Sequence, residues 1–261
     1  MLRTLNHKKL LIHLVLIVLG IVMVLPFVWM LSTALKGPRE IFVYPPKWIP
    51  EKLHWSNFKE AWNAAPFATF YLNSIFISAA TTVGQVVTGV LAAYAFARLE
   101  FTGKDFLFLV FLGTLMVPSQ VTLIPTYIVM SDIGWVDTYE ALIVPFIASA
   151  FSVFLLRQFF LTIPPELEEA AIMDGCSKLR FIVFILLPLS KPAIASVSLF
   201  TFLSSWNSYL WPLIVINSNK MRTLPIGLRY FVAQQGGGSQ WHLLMAASVI
   251  TIAPVLLVFF F

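Results

Sequence analysis

Six long apolar runs constrain this chain more than anything else in it. They cover roughly residues 10–35, 70–97, 106–130, 139–160, 182–203 and 241–261. Each is about 20 residues or longer, enough to cross a ~30 Å hydrocarbon layer as one helix. In lipid every backbone N–H and C=O must find its partner inside the structure, so only helices and closed barrels span. A barrel would show alternating strands of about ten residues, which this sequence lacks. The expectation is an all-α polytopic membrane protein with six transmembrane helices. Composition agrees, because 59% apolar and 11% charged residues, with 24 Phe among 261, lie far from the soluble average. The first run is too long for the core of a signal peptide and reads as a retained span. Pro26, Pro118, Pro125, Pro145, Pro192 and Pro254 fall inside runs, where they should kink helices or loosen their packing.

The polar segments divide the chain. Residues 1–69 hold the first span and a proline-broken external loop; residues 70–261 hold the other five spans as a core domain. In the loop, Trp55, Phe58 and Trp62 recur at helical spacing. A short helix lying at the membrane surface and a packed loop with buried aromatics both fit. Lys and Arg divide nearly evenly between the two sides, but the loops that would share the amino-terminal side are shorter and denser in them, which favours a cytoplasmic amino end.

Charge inside the spans is scarce. All twelve acids lie in loops or at span ends. Transporters driven by ions usually keep ionisable groups at membrane depth, so an ion-coupled secondary transporter is disfavoured. The segment Gly103-Lys104-Asp105 lacks the earlier glycine and the Ser/Thr of a phosphate-binding loop. The four His are scattered and the single Cys, Cys176, has no sequence neighbour to pair with, so neither a metal site nor a catalytic nucleophile is indicated. That also disfavours a membrane-embedded enzyme. The net charge of +5 comes from scattered bases and does not suggest nucleic acid.

Against this background residues 164–188 stand out as polar. Pro165 suits the first turn of a helix, where its missing N–H is no loss. Glu166, Glu168 and Glu169 suit the positive end of the helix dipole, and Gly175 is a natural stop. A second helix can begin at Ser177 and run into the fifth span. The result is a helix–turn–helix stub leaving the bilayer, with Leu167, Ala170 and Ala171 as a low-relief apolar face for a groove on another protein.

The spacing of Glu169, Ala170, Ala171, Asp174, Gly175, Ile185, Leu187 and Pro188 resembles the Glu-Ala-Ala loop of the membrane subunits of ABC importers. The stretches 154–160, 189–192 and 206–213 resemble the second permease subunit of carbohydrate importers of the maltose and glycerol-3-phosphate types. The resemblance implies a type I ABC importer transmembrane domain with a cytoplasmic coupling helix in the loop 162–181. Glu169, Ala170, Ala171, Asp174, Gly175, Leu167 and Met173 would couple it to the motor; the alternative reading of Asp174 is a cap for the second helix. The implied partners are a second similar permease, two ATPase subunits that bind ATP and Mg, and an extracytoplasmic substrate-binding protein. No cofactor is expected in this chain itself, and it is not expected to be an enzyme. The setting is a bacterial or archaeal cytoplasmic membrane. Family members are also expected to continue past Phe261 into a short tail.

For solute, the amides and aromatics inside the spans are the candidates. Gln85, Gln120 and Asn207 can bond hydroxyls, and Trp206, Tyr209 and Trp211 can stack on sugar rings. An aromatic belt and helix–helix packing would use the same residues. Gln234, Gln235, Gly236 and Gly237 sit in an external loop that either contacts the binding protein or serves as a tether. A sugar, a glucosylated compatible solute and glycerol-3-phosphate all fit, although a phosphate would want a cavity base and only Lys191 is near.

Overall fold

The computed structural model describes residues 7–233 and 240–260, and among these the chain is helices and turns with no strand. In order come α1 (His7–Ala34), α2 (Ser56–Asn63), α3 (Phe67–Arg98), α4 (Lys104–Gly113), α5 (Ser119–Asp132), α6 (Tyr139–Ile143) and α7 (Ala150–Leu161). Then follow α8 (Glu166–Met173), α9 (Lys178–Phe181), α10 (Leu187–Leu189), α11 (Lys191–Trp206), α12 (Leu210–Val215), α13 (Leu224–Ala233) and α14 (Trp241–Phe260).

Among the described residues three helices are long and apolar enough to span alone: Lys9–Ala34, Phe67–Arg98 and Trp241–Phe259. The other three expected spans are broken. Lys104–Met116 meets Ser119–Asp132 at 99°, Tyr139–Phe146 meets Ala150–Leu161 at 41°, and Lys178–Leu189 meets Lys191–Trp206 at 84°. A proline sits at the first of these breaks. Val117 is in an extended conformation (φ −80°, ψ 115°) ahead of Pro118, the direction in which the clash with a following proline ring pushes a residue. Val144, ahead of Pro145, stays helical (φ −60°, ψ −41°), and the milder bend of that pair falls beyond Phe146, where Ser149 is extended (φ −143°, ψ 128°). Pro26, Pro125 and Pro254 lie inside continuous helices, so the expected loosening produces no break at those three. Before Pro188 the helix widens to a π-turn over Ile182–Leu186, a form that usually marks an interrupted hydrogen-bond ladder.

Two compact units emerge from the internal contacts: residues 1–67 with 227–260, and residues 68–226. Residues 227–233 and 240–260 thus group with the amino-terminal helix.

In the first unit α1 packs on α14 and α14 on α2. The short helix expected around Trp55 and Phe58 is α2, and it is anchored through its inner face. Asn57 is buried and donates from Nδ2 to the carbonyls of Ala34 (2.8 Å) and Lys36 (2.9 Å). Lys36 is itself fully buried, with its ammonium 4.0 Å over the Trp29 ring. Burial pushes its pKa down from the usual lysine range, against a smaller opposing pull from Glu40.

In the second unit the core runs along α3, α7, the π-turn and α11, and includes Val90, Tyr94, Leu156, Phe160, Phe181, Leu186 and Val197. Close approach is built in by glycine. A Cβ at Gly84 would lie 2.7 Å from Ile147 Cγ2, and one at Gly89 3.2 Å from Leu156 Cδ1. Small residues that let backbones approach are the usual device of helix packing in lipid, where burial itself supplies no drive.

Candidate functional site

The stub forms as its residues dictate. α8 begins at Glu166, and the N–H groups of Glu168 and Glu169 donate to the carbonyl of Pro165 at 2.9 and 3.1 Å. Its far end closes on itself. Gly175 takes the left-handed conformation (φ +76°); its N–H donates to Ile172 O (2.9 Å) and the Cys176 N–H donates to Ala171 O (2.8 Å). These two bonds define a Schellman closure, which needs a residue without Cβ strain at Gly175. The second helix is capped by Ser177, whose Oγ accepts from the Arg180 N–H at 3.4 Å. Asp174 sits at the end of α8 instead, so the alternative reading of it as cap of the second helix is corrected. Ser177, three residues on, has the extended backbone a cap requires.

α8 has two distinct faces. Leu167, Glu169, Ala170, Met173, Asp174 and Gly175 are exposed, Met173 at 82%. Ala171 turns inward, 7% exposed, into the core cluster of α3, α7 and the π-turn. The expected apolar face of Leu167, Ala170 and Ala171 is therefore split: only the first two can meet a partner, while the small Ala171 lets the stub sit close on its own bundle. Glu168 holds the same inner side. The Tyr94 hydroxyl donates to Glu168 Oε1 at 2.5 Å, and Arg98 Nε lies 3.8 Å from Oε2. Arg98 Nη2 also donates to the carbonyls of Phe160 (3.0 Å) and Ile163 (2.5 Å), at the end of α7. Glu169 lines an open cleft of about 570 Å³ between the end of α3 and α8, together with Arg98, Glu100, Pro165 and Lys178.

Two further spaces in the second unit bear on the solute path. The larger, about 520 Å³ and open, is lined by Ser119, Gln120, Thr126, Asn207, Tyr209 and Trp211, among others. It brings together four of the six residues expected on the solute path. Asn207 Nδ2 is engaged with Leu203 O (2.8 Å), and the Trp211 indole N–H with Ala141 O (2.9 Å). The smaller, about 120 Å³, is lined by Ser74, Ser78, Thr81, Gln85, Thr201, Thr223 and further hydroxyls. Gln85 is tightly held: its Nε2 donates to Phe146 O (2.8 Å), and its Oε1 accepts from Ser152 (2.9 Å) and Thr201 (2.8 Å). Trp206 lines neither cavity. It is 2% exposed, stacked on Phe202 at 5.7 Å and edge-on to Tyr71 at 5.8 Å, so its expected contact with solute gives way to packing. Gln234, Gln235, Gly236 and Gly237 lie outside the described residues.

Two sets of residues escaped the sequence reading. Tyr94 and Arg98 reach Glu168 from far upstream, with no local signal. Ser74, Ser78 and Thr81 join the expected Gln85 at i, i+4, i+7 and i+11 along α3, a polar stripe on one helix face.

Broken spans, a hydroxyl-lined interior and a self-capped stub held to the bundle are the features of a helical membrane permease. The family follows from comparison. Residues 85–261 match the model described as "Binding-protein-dependent transport system inner membrane component", and the chain belongs to that family. It is 37% identical over 251 residues to the sn-glycerol-3-phosphate transport system permease protein UgpE of Pectobacterium atrosepticum, covering 94% of this chain and 89% of that one. The UgpE of Yersinia enterocolitica is 35% identical over 247 residues, covering 92% and 88%. A bacterial ABC transporter involved in import of the acidic polysaccharide alginate shares the fold, with TM-score 0.85 and 23% identity over 99% of this chain and 96% of that one. A bacterial alginate ABC transporter solved with a pentasaccharide-bound periplasmic protein also resembles it, at TM-score 0.67 and 12% identity over 96% and 92%. The chain is thus an inner-membrane permease subunit of the ABC importer class.

Proposed function

We propose that this chain is the subunit through which a sugar or sugar-like, hydroxyl-rich solute moves inward, driven by ATP hydrolysis on partner chains. The stub side faces the cytoplasm, and so does the amino end. Two ATPase subunits carrying ATP and Mg engage α8, a second similar permease completes the pathway, and an extracytoplasmic binding protein delivers the solute, with Gln234, Gln235, Gly236 and Gly237 as its expected contact.

What carries the reading is the two-faced α8. Its outer face offers Leu167, Glu169, Ala170 and Met173 to a partner, while Ala171 and Glu168 tie its inner face to α3. A push on α8 is delivered to α3, whose Ser74, Ser78, Thr81 and Gln85 line the smaller cavity. Closure of the ATPase pair then moves α3 and its packed neighbours as rigid bodies. Asp174 and Gly175 end the helix and set the turn.

The solute class is supported by the cavity walls. Hydroxyls, amides and aromatic faces line them, without a charged side chain, which suits neutral oxygen-rich groups. The relatives are named for glycerol-3-phosphate and the structural neighbours for alginate; glycerol-3-phosphate is the first solute to test.

The test is uptake into proteoliposomes holding the complete complex. Uptake should require internal ATP and the binding protein. Glu169→Lys and Gly175→Val should each lower it by about tenfold, the equivalent of ~1.4 kcal/mol, without reducing the amount of complex assembled. Normal uptake by both variants, or uphill uptake without nucleotide, would overturn the reading.

A further inference from the structure

The smaller cavity holds more unmet polarity than a packed helix junction needs. It sits among α3, α6, α11 and α12, inside this subunit. Ser78, Thr81 and Thr223 line it, at 1%, 3% and 5% exposure. Their hydroxyls have no hydrogen-bond partner in the chain. The mid-chain serines and threonines of this protein that face neighbouring backbone behave differently: Thr82 and Thr88 bond back to carbonyls of their own helix. Three buried hydroxyls left open around one space are costly, and the cost is relieved only by an occupant that can both donate and accept.

Size narrows the occupant. The chamber, at about 120 Å³, is the smaller of the two spaces, which suits a few waters or a small three-carbon polyol better than a bulky sugar. Charge narrows it further. No Lys, Arg or His lines this chamber or the open cavity beside it, so an anionic group is not received in either. Access is provided because Phe146, Ser204, Ser208 and Trp211 line both spaces.

Building on the import reading above, we infer that this chamber receives the uncharged, dihydroxylated three-carbon end of the transported solute, with Ser78, Thr81 and Thr223 supplying the hydrogen bonds. A charged remainder stays outside both spaces, and a larger neutral one can lie in the open cavity. The subunit therefore selects by hydroxyl pattern at one end of the solute and is indifferent to the other.

The test uses the complete complex in proteoliposomes with radiolabelled sn-glycerol-3-phosphate. Thr81→Val and Thr223→Val keep the side-chain shape and remove one hydroxyl each. Each should raise KM for uptake about tenfold, the worth of one hydrogen bond. Neither should lower the thermal midpoint of the purified complex, because an open hydroxyl has been replaced by an apolar group. Thr251→Val, whose hydroxyl is bonded to Ala247 O within α14, should leave KM unchanged. An unmoved KM in both chamber variants overturns the proposal and leaves water as the occupant. A lowered midpoint accompanying the rise in KM also overturns it, since the hydroxyls then hold the bundle instead of the solute. If the unaltered complex imports no glycerol-3-phosphate, that solute is wrong, and a second measurement still reads the chamber. In a Cys176→Ser background, excess glycerol should slow modification of Ser78→Cys by a small neutral methanethiosulfonate reagent several-fold, and a rate indifferent to glycerol overturns the chamber.

Discussion

Cutting the tie between Glu168 and α3 should loosen α8 by an amount the structure allows to be worked out. Glu168 and Arg98 have side chains 14% and 9% exposed, so their interaction is only partly screened. The Tyr94 hydroxyl bond to the carboxylate (2.5 Å) is of the charge-assisted kind, worth about 1.5–3 kcal/mol. The ion pair at 3.8 Å adds a smaller net amount once desolvation is subtracted. Arg98 Nε has no other hydrogen-bond partner, so Glu168→Ala also leaves that group buried and unpaired. Together the loss should be about 3 kcal/mol, and for Tyr94→Phe about 1.5 kcal/mol. The assay is hydrogen–deuterium exchange of the amides of residues 170–173 in the complete complex in lipid nanodiscs. If opening of α8 controls exchange, these amides should exchange about a hundredfold faster in Glu168→Ala and about tenfold faster in Tyr94→Phe. The double variant should match Glu168→Ala alone, because both substitutions remove the same bond. Additive effects, or unchanged protection in all three, would show that the tie does not hold α8 and that the path from stub to α3 is wrong.

Two further outcomes are expected. Gly84→Ala places a methyl 2.7 Å from Ile147 Cγ2 and 2.9 Å from its Cβ; a β-branched side chain so close to its own backbone cannot swing aside, so about 1–3 kcal/mol should be lost. Thermal unfolding of the purified complex reads this, with Gly113→Ala as control, since nothing lies within 4 Å of a Cβ there; equal midpoints for the two would refute the close-packing argument. Asp137 gives a pH dependence outside the spans. Its Oδ1 accepts from the Ser218 N–H (3.0 Å), the Asn217 N–H (3.0 Å) and the Ser218 hydroxyl (3.1 Å). The Ser218 backbone bond is the largest cause holding its carboxyl below the usual range. A depressed folded pKa means the contribution is whole above the unfolded value of ~3.9 and is lost as pH falls through the folded one. The difference in thermal midpoint between the natural chain and Asp137→Asn should therefore be constant near neutrality and shrink only below about pH 4; shrinkage at pH 5–6 would count against it.

Much of the fold was legible because lipid leaves so few choices. Six apolar runs became three straight helices and three bent pairs, and the stub formed with its stop at Gly175 and its second start at Ser177. What could not be read was which prolines would break a helix. Pro118 and Pro125 look alike in sequence; Pro118 starts a new helix at 99° to the last while Pro125 lies inside α5, and tertiary packing makes that choice. The site was legible in part. Gln120, Asn207, Tyr209 and Trp211 share one cavity, as polar and aromatic residues at depth suggested. Trp206 does not, because aromatic character alone cannot tell a sugar platform from a core side chain. The role of Glu168 was hidden for a different reason: an acid in the first turn of a helix already has a local explanation in the dipole, and its partner Tyr94 is 74 residues away.

The self-closing end of α8 has a consequence for repeated operation. Its last carbonyls are satisfied by its own backbone through Gly175 and Cys176, so, on the proposed coupling role, the stub needs no motor to complete its form. Engagement then carries little ordering cost, and release leaves no frayed turn to be rebuilt. Under the proposed function, such a part would be gripped and let go over many cycles and arrive each time already in shape.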